Sequence, residues 1–461
     1  MSMQSRRDLF QAHRLMTQRA ALALLRGEPD VPDQPLRRLN VGTFSGLLVG
    51  VIVTGLFLIW GLLGHTGGTL TDQPGTLVID KQTGTPFVFC NHGGIKLCPV
   101  LNYASARLAL NSSSLNQETV DQAAIAKFPR GPLIGIPGLP QPLPDASLLI
   151  KQPWSVCTAV TITPRSGPQP VTTLAGGIQT GGQPLGSGLL LVQAQGQDWA
   201  IWNGQRMAIQ SDLLAAVHGP TSPPPVPAAW LNALPQGPPF AAPTIPGRGS
   251  TVPNGPTGGP VSVGQVYKVT AVAGNAYYVM LANGLAQITP MQAQLLDFLP
   301  GTHETPLSPS QVSGHRSSTS ISSGGLPNSP PTLATPPSTV PLCVVYSGGG
   351  NVLTRQVETG GRLPPGGVAT GAPSGDPSEV NQVALPPDAG ALVGAGQGNG
   401  VISYFLVTDG RRYALSSTDV AGMLGYTLSQ AVRLPEGVVH LIPAGPVMNP
   451  VQASETAPSG G

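Results

Sequence analysis

The sequence predicts an α+β fold: a single N-terminal transmembrane helix, then an elongated exterior of β-hairpin-plus-helix repeats around a disulfide-tied central β-rich domain. Three observations carry this. A run of 24 residues from Val41 to Gly64 (VGTFSGLLVGVIVTGLFLIWGLLG) contains no charge. Four later segments share one layout of apolar strand, turn, second strand and Leu/Ala-rich helix. All four cysteines follow the apolar run.

The apolar run comes first. As a helix rising ~1.5 Å per residue it reaches about 36 Å, enough to cross a hydrocarbon core of ~30 Å with some tilt. Trp60 near its far end suits a headgroup position. A cleaved signal peptide would have a shorter apolar core and a small-residue cleavage site, and WGLLGHTGG offers none. The flanks set the orientation. Residues 1–40 carry seven arginines, Arg37 and Arg38 directly before the span, against four acids. The first basic residue after the span is Lys81. The positive-inside rule therefore puts the N-terminus in the cytoplasm of a cell membrane and the bulk of the chain on the extracytoplasmic side. Beyond the span 16 basic residues face 17 acidic ones, so no basic nucleic-acid surface is expected.

Residues 5–26 read as one helix. Ser5 and Asp8 suit a capping-box start, and Gly27 followed by Pro29 supplies a stop. Leu9, Ala12, Met16, Ala20 and Ala23 form one stripe at helical spacing, with Arg6, Arg7 and Arg14 away from it. A helix lying on anionic lipid and a helix docking a partner both fit these residues. The small side chains permit close helix approach and bury little lipid.

The exterior holds 60 glycines and 51 prolines minus the few in the N-terminal part, clustered enough to delimit segments. The expected order is 1–40 cytoplasmic helix and basic flank, 41–64 span, 70–120 first repeat and 121–185 first part of the central domain. Then come 186–220 second repeat, 221–262 Pro/Gly-rich linker, 263–300 third repeat and 301–340 low-complexity linker. The chain closes with 341–399 second part of the central domain, 400–445 fourth repeat and 446–461 loose tail. Trp230 and Leu231 inside the first linker predict that it is anchored to a folded surface. Asn-Gly at 203–204 and 283–284 marks hairpin turns. Ser211 and Thr289 stand where a helix N-cap belongs, with Pro290 at the first helical position. One such repeat cannot bury enough surface alone and must pack on a neighbour.

The cysteines are Cys90, Cys98, Cys157 and Cys343, on the side of the membrane where disulfides persist. Three pairings are possible. Cys90 and Cys98 flank a turn and can pair locally, which leaves Cys157 with Cys343. That long bridge would tie the segment after the first repeat to the segment before the fourth. A zinc site from Cys90, His92 and Cys98 lacks a fourth ligand and has poor spacing.

No catalytic constellation emerges, and no cofactor is implied. None of the five lysines follows a glycine, so there is no Walker A loop. There is no H-E-x-x-H and no G-x-S-x-G. GAGQGNG at 394–400 departs from G-x-G-x-x-G at Asn399 and reads as a plain loop. Asp72 and Asp80 have no partner base and read as exposed carboxylates.

SRRDLFQAHRLMTQRAALALLRGEPD, PLRR before the span and DKQTG…PVLNYASARL after it begin an ordered series. PWSVC, NALPQGPPFAAPTIPGRG, YYVMLANGLAQITPMQAQLL, PLCVVY and YFLVTDGRRYAL…VRLPEGVVHLIPAGPVMNP continue it. This series resembles the EccB family, the single-pass core component of type VII (ESX) secretion complexes of actinobacteria. The resemblance implies a structural, oligomeric subunit of the membrane apparatus for protein export, with an EccC-like ATPase, EccD-like and EccE-like membrane subunits, a mycosin protease and self-association as partners. It implies that the N-terminal helix docks partners. Cys157 and Cys343 match the family's cysteine pair; Cys90 and Cys98 depart from it, which puts the hairpin geometry of the first repeat in question. The family's repeats are similar to a phage-lysin cell-wall-binding subunit, so a membrane-tethered peptidoglycan-binding protein is the alternative reading. An extracytoplasmic nucleotide hydrolase is a second alternative, because ATPase activity is attributed to some members, although no residues here can be assigned to it.

Overall fold

The computed structural model describes residues 6–27, 35–63, 75–113, 115–163, 167–220, 222–272, 274–348, 353–371, 379–396 and 400–458. It divides into two units, Met1–Thr69 and Leu70–Gly461.

The first unit holds two helices, Arg6–Arg26 and Pro35–Leu63. Gly27, at φ +71°, ends the first by returning its N–H to Ala23 O at 2.9 Å. Pro29 and Ser5 lie outside the described residues. The second helix contains Val41–Trp60, a stretch long and apolar enough to cross a membrane, with mean hydropathy 2.1. Two of its hydroxyls are satisfied by its own backbone: Ser45 Oγ donates to Val41 O and Thr54 Oγ1 to Gly50 O, each at 2.7 Å. A helix in lipid needs such internal partners, because no water is there to replace them. Gly64, the expected end of the span, lies outside the described residues. Arg37 and Arg38 fall in the helix's first turn.

The second unit contains four copies of one module. In each, a three-stranded antiparallel meander is followed by a first helix, a short strand parallel to the first, a second helix and a closing strap. The first module uses strands Thr76–Asp80, Pro86–Asn91 and Ile95–Pro99, helix Tyr103–Leu110, strand Asn116–Val120 and helix Gln122–Ile125. The third uses Val266–Ala271, Gly274–Leu281 and Gly284–Ile288, helix Pro290–Asp297, strand Thr305–Leu307 and helix Pro309–Ser313. The fourth uses Ala391–Gly396, Ser403–Thr408 and Arg411–Ala414, helix Asp419–Met423, strand Val432–Pro435 and helix Glu436–His440. The second uses Leu189–Ala194, Gln197–Trp202 and Gln205–Ile209, 3-10 turns Ser211–Leu213 and Ala215–Val217, a bridge at Pro225 parallel to Gln193, and helix Ala228–Asn232. Asn203-Gly204 turns its meander with both residues at positive φ, as a tight two-residue hairpin requires.

The module is therefore larger than a hairpin plus helix. A third strand continues the alternation, and a parallel fourth strand and second helix cover the other sheet face. Several expected boundaries move accordingly. Ala391–Gly396, placed by sequence in the central domain and partly in a loop, is the first strand of the fourth module. Its small residues Ala395 and Gly396 carry too little hydrophobicity to be recognised as a strand. Residues 301–340 are no free linker: they supply the third module's last strand and second helix, and Leu333–Ala334 pairs in parallel with the start of the second module's sheet. Residues 221–262 bury Trp230 and Phe240 completely. Thr289 caps its helix in a capping box with Gln292, while Ser211 caps nothing and instead donates to Asp198 Oδ2 at 2.7 Å.

The strap has a shared sequence in three modules: Pro129-Arg130-Gly131-Pro132, Pro235-Gln236-Gly237-Pro238 and Pro443-Ala444-Gly445-Pro446. In each, the first proline's carbonyl accepts from the middle of the third strand, and the glycine N–H returns to the same residue. For the fourth module Arg412 N–H donates to Pro443 O at 2.9 Å and Gly445 N–H to Arg412 O at 2.8 Å. Leu97 and Arg206 are held in the same way, and the third module repeats the pattern on Leu285 with His315 and Ser317. A Cβ on Gly445 would lie 2.4 Å from the Tyr413 ring, and one on Gly131 would lie 2.3 Å from Cys98 Sγ. The second residue after the closing proline then plugs the core: Ile134, Phe240 and Met448 are essentially inaccessible. The strap also covers an edge strand that would otherwise offer unpaired backbone groups.

Residues 446–458 form no loose tail, and 459–461 lie outside the described residues. Helix Pro450–Ala453 packs on Tyr103–Leu110 of the first module, burying Ala453. Ala457 N–H then donates to Leu133 O at 2.8 Å. The chain end thus fastens the fourth module to the first.

Gly445→Ala is expected to lower stability by about 1–3 kcal/mol through forced movement of Tyr413. Met448→Ala should cost about 2–5 kcal/mol by leaving a cavity. Urea unfolding followed by circular dichroism measures both; an unchanged midpoint for either would contradict the strap's role.

Candidate functional site

The modules are arranged about a seven-stranded sheet. Its order is Val368–Ala369, Gln382–Ala384, Gly167–Gly176, Trp154–Thr163, Leu342–Ser347, Thr354–Thr359 and Gln183–Pro184. Strand alternation gives the sheet two different faces. Trp154, Val156, Leu174, Val344 and Tyr346 face one way, into a core shared with Leu190, Val192 and Ile201 of the second module and Val393, Phe405 and Val439 of the fourth. Burial raises the Tyr346 phenol far above its ordinary pKa, and its hydroxyl donates to Ala233 O behind the second module's second helix.

The opposite face carries the long disulfide. Cys157 and Cys343 stand directly opposite each other in register on adjacent antiparallel strands, with Cα atoms 4.0 Å apart, both fully buried. Val345 and Leu363 pack on them. This bridge spans a sequence separation of 186, within which the second and third modules are inserted. Cys90 and Cys98 form the other bridge, at a separation of 8, across neighbouring strands of the first module. The first module keeps the same meander as the others despite it.

The remaining modules attach through their first helices. The first module's Ala104 and Leu108 share a core with Val420 and Ala421 of the fourth, and Arg107 Nε donates to Met423 O at 2.7 Å. The third module's Met291 and Leu295 share a core with Leu213 and Val217 of the second, and Gln294 Nε2 donates to Ala216 O. The spatial order is therefore first, fourth, central sheet, second, third. Neither the pairing nor the repeated Pro-x-Gly-Pro strap was anticipated; the strap's recurrence is the signal that would have exposed full module length.

The sequence-derived docking stripe lies on helix Arg6–Arg26, where Leu9 is 61% and Met16 72% exposed; Ala12 and Ala20 are also exposed, and Ala23 is half-buried. Asp80 is not the exposed carboxylate expected: it is 4% exposed, because its oxygens close a turn. Its Oδ1 accepts from Gln82 N–H and its Oδ2 from Thr83 Oγ1, each at 2.9 Å, and the backbone bond holds its carboxyl below the usual range. Asp72 lies outside the described residues, as do 397–399 of the glycine-rich run. Among the described residues no cluster of three or more His, Cys, Asp or Glu side chains is arranged to hold a metal ion.

A family model described as type VII secretion system ESX-1, transport TM domain B, matches residues 2–458. The protein named ESX-3 secretion system ATPase EccB3 of Mycolicibacterium smegmatis is 31% identical over 453 residues, which covers 90% of this chain and 83% of that one. ESX-5 secretion system ATPase EccB5 of Mycobacterium marinum is 29% identical over 309 residues, 63% of this chain and 59% of that protein. Among solved structures, the EccB3 dimer from the ESX-3 core complex is 27% identical with TM-score 0.64, covering 82% of this chain and 99% of that one. The periplasmic assembly from the ESX-5 inner membrane complex is 25% identical with TM-score 0.63, covering 85% and 97%.

Replacing Cys157 and Cys343 by serine should destabilise the chain more than replacing Cys90 and Cys98. The loop-entropy model gives about 5 kcal/mol for the long loop and about half that for the short one. Denaturant midpoints of the two double variants decide it; equal losses would show that the longer loop gives the Cys157–Cys343 bridge no advantage over the short one.

Proposed function

The chain belongs to the EccB family of type VII secretion systems, and we propose that it is a structural subunit of such a system's inner-membrane complex, with one membrane-spanning helix and its bulk in the periplasmic assembly. The observation that carries this is the match of residues 2–458 to the family, joined to a fold shared with periplasmic EccB assemblies. Its partners in this reading are further copies of itself, EccC-like, EccD-like and EccE-like subunits and a mycosin protease.

The relatives carry the name ATPase. For this chain we favour a scaffold without its own hydrolytic cycle. Its sequence has no Walker A lysine, and the Asp80 carboxylate is committed to a turn. Export would then be powered by the EccC-like partner. The stripe Leu9, Ala12, Met16, Ala20 and Ala23 is the proposed docking face, because small side chains let a second helix approach closely. Arg37 and Arg38 hold the N-terminus on the cytoplasmic side.

Extraction in mild detergent should recover the chain with the other membrane subunits. An Ala12→Trp/Ala20→Trp variant is expected to stay in the membrane and lose at least one of those partners. A chain that runs alone, and whose deletion leaves secretion intact, would end the scaffold reading. Retention of the isolated exterior on purified cell wall without partner proteins would favour a tethered wall-binding module instead.

A further inference from the structure

Residues 317–342 contain no charged side chain and run from the third module onto the second. Their backbone is fastened to both. Met291 N–H of the third module donates to Asn328 O at 3.3 Å, and Leu189 N–H of the second donates to Thr332 O at 2.9 Å. Leu333–Ala334 pairs in parallel with Leu189 and Leu190. Around that pairing stand Ser329-Pro330-Pro331-Thr332 and Thr335-Pro336-Pro337-Ser338. The two copies put a hydroxyl at every third position: 329, 332, 335 and 338.

Proline fixes its own φ and presses the residue before it toward extended backbone. An extended chain of this kind has three residues per turn, so every third side chain faces the same way, ~9 Å further on. Exposure follows that period. Ser329, Thr332, Thr335 and Ser338 are all exposed, while Pro331, Leu333, Ala334 and Pro336 between them are half-buried. Among the described residues none of these four hydroxyls makes a hydrogen bond. Hydroxyls earlier in the segment are committed. Ser317 Oγ donates to Asn283 Oδ1 at 2.8 Å, Thr319 Oγ1 accepts from Asn283 Nδ2 at 3.0 Å, and Ser322 Oγ accepts from Gly324 N–H at 3.2 Å.

We propose that Ser329, Thr332, Thr335 and Ser338 are acceptor sites for O-glycosylation by a neutral hexose. Serine and threonine among prolines mark O-glycosylated stalks. Here the same composition is laid against a folded body, which holds the backbone still and leaves the row of hydroxyls facing outward. The donor is a hexose carried on a polyprenyl phosphate, presented by a membrane glycosyltransferase on the extracytoplasmic side. The side-chain oxygen forms a bond to the anomeric carbon, and the bond from that carbon to the donor's phosphate oxygen breaks. A carboxylate base of the transferase takes the hydroxyl proton, and polyprenyl phosphate leaves. A phosphoryl group would need arginine or lysine to pair with, and residues 317–342 contain neither. The proposal uses only the extracytoplasmic placement of the exterior from the scaffold reading.

The test is mass spectrometry of the full chain, purified in detergent from the membranes of the cells that make it. After reduction, the tryptic peptide 317–355 is expected to carry whole hexose masses, which electron-transfer fragmentation places on at least two of the four residues. Ser329→Ala/Thr332→Ala/Thr335→Ala/Ser338→Ala should lose more than half of that added mass, and Ser317→Ala/Thr319→Ala/Ser322→Ala should keep it. Circular dichroism checks that the variants fold; if the fourfold variant does not, Thr335→Ala/Ser338→Ala alone must still lower the added mass. A peptide at its unmodified mass, hexose confined to other residues, a phosphate mass in place of hexose, or a fourfold variant that keeps the hexose would each overturn the proposal. Each of these results would leave recovery with the other membrane subunits unchanged, so the proposal fails separately from the scaffold reading.

Discussion

A four-stranded sheet of five-residue strands has two apolar faces and too few residues of its own to cover both. That constraint shapes the whole second unit. Leu189 and Leu191 enter one core while Leu190 and Val192 enter another, so successive residues of a single strand are buried on opposite sides. Each module meets the demand with two helices, one per face. The helices are short: Asp419–Met423 and Glu436–His440 have five residues each. Helices this short gain little from propensity and are held by packing. The modules therefore join through their first helices, first with fourth and second with third, and the second and fourth also share the core beneath the central sheet.

The central sheet can serve as that hub because it closes late. Its strands before residue 185 wait for those after 341, and everything between is inserted as folded modules. The Cys157–Cys343 bridge joins the two parts on the face turned away from the modules, so the face that receives them is left to side chains such as Trp154, Val156, Leu174, Val344 and Tyr346. The chain end performs a comparable closure at the first module, where Ala453 and Ala457 bind back to residues more than three hundred positions earlier.

Much of this was legible in the sequence, and the omissions have physical causes. The uncharged run, the Asn203-Gly204 turn and the Thr289-Pro290 helix start each act locally, and each appears where local chemistry puts it; at the other Asn-Gly pair, Ala282 and Asn283 make the turn and Gly284 begins the next strand. The strand Ala391–Gly396 was missed because alanine and glycine carry no strand signature; its sheet position comes from its neighbours. The Pro/Gly-rich stretches looked like linkers because proline cannot join a ladder as a donor. The straps use this: a proline carbonyl accepts, and the glycine two residues later donates. Sequence composition recorded the prolines and missed their spacing. The order first, fourth, centre, second, third depends on contacts between distant residues such as Arg107 and Met423, for which the sequence carries no local signal.

In this account the exterior is a single scaffold held through one sheet made from both halves of the chain. Proteolytic peptide mapping without reduction tests that most directly. The account predicts a peptide containing Cys157 linked to one containing Cys343, and a separate peptide with Cys90 linked to Cys98. A Cys90–Cys157 link would contradict it, because the central sheet could not then join its two halves at these positions.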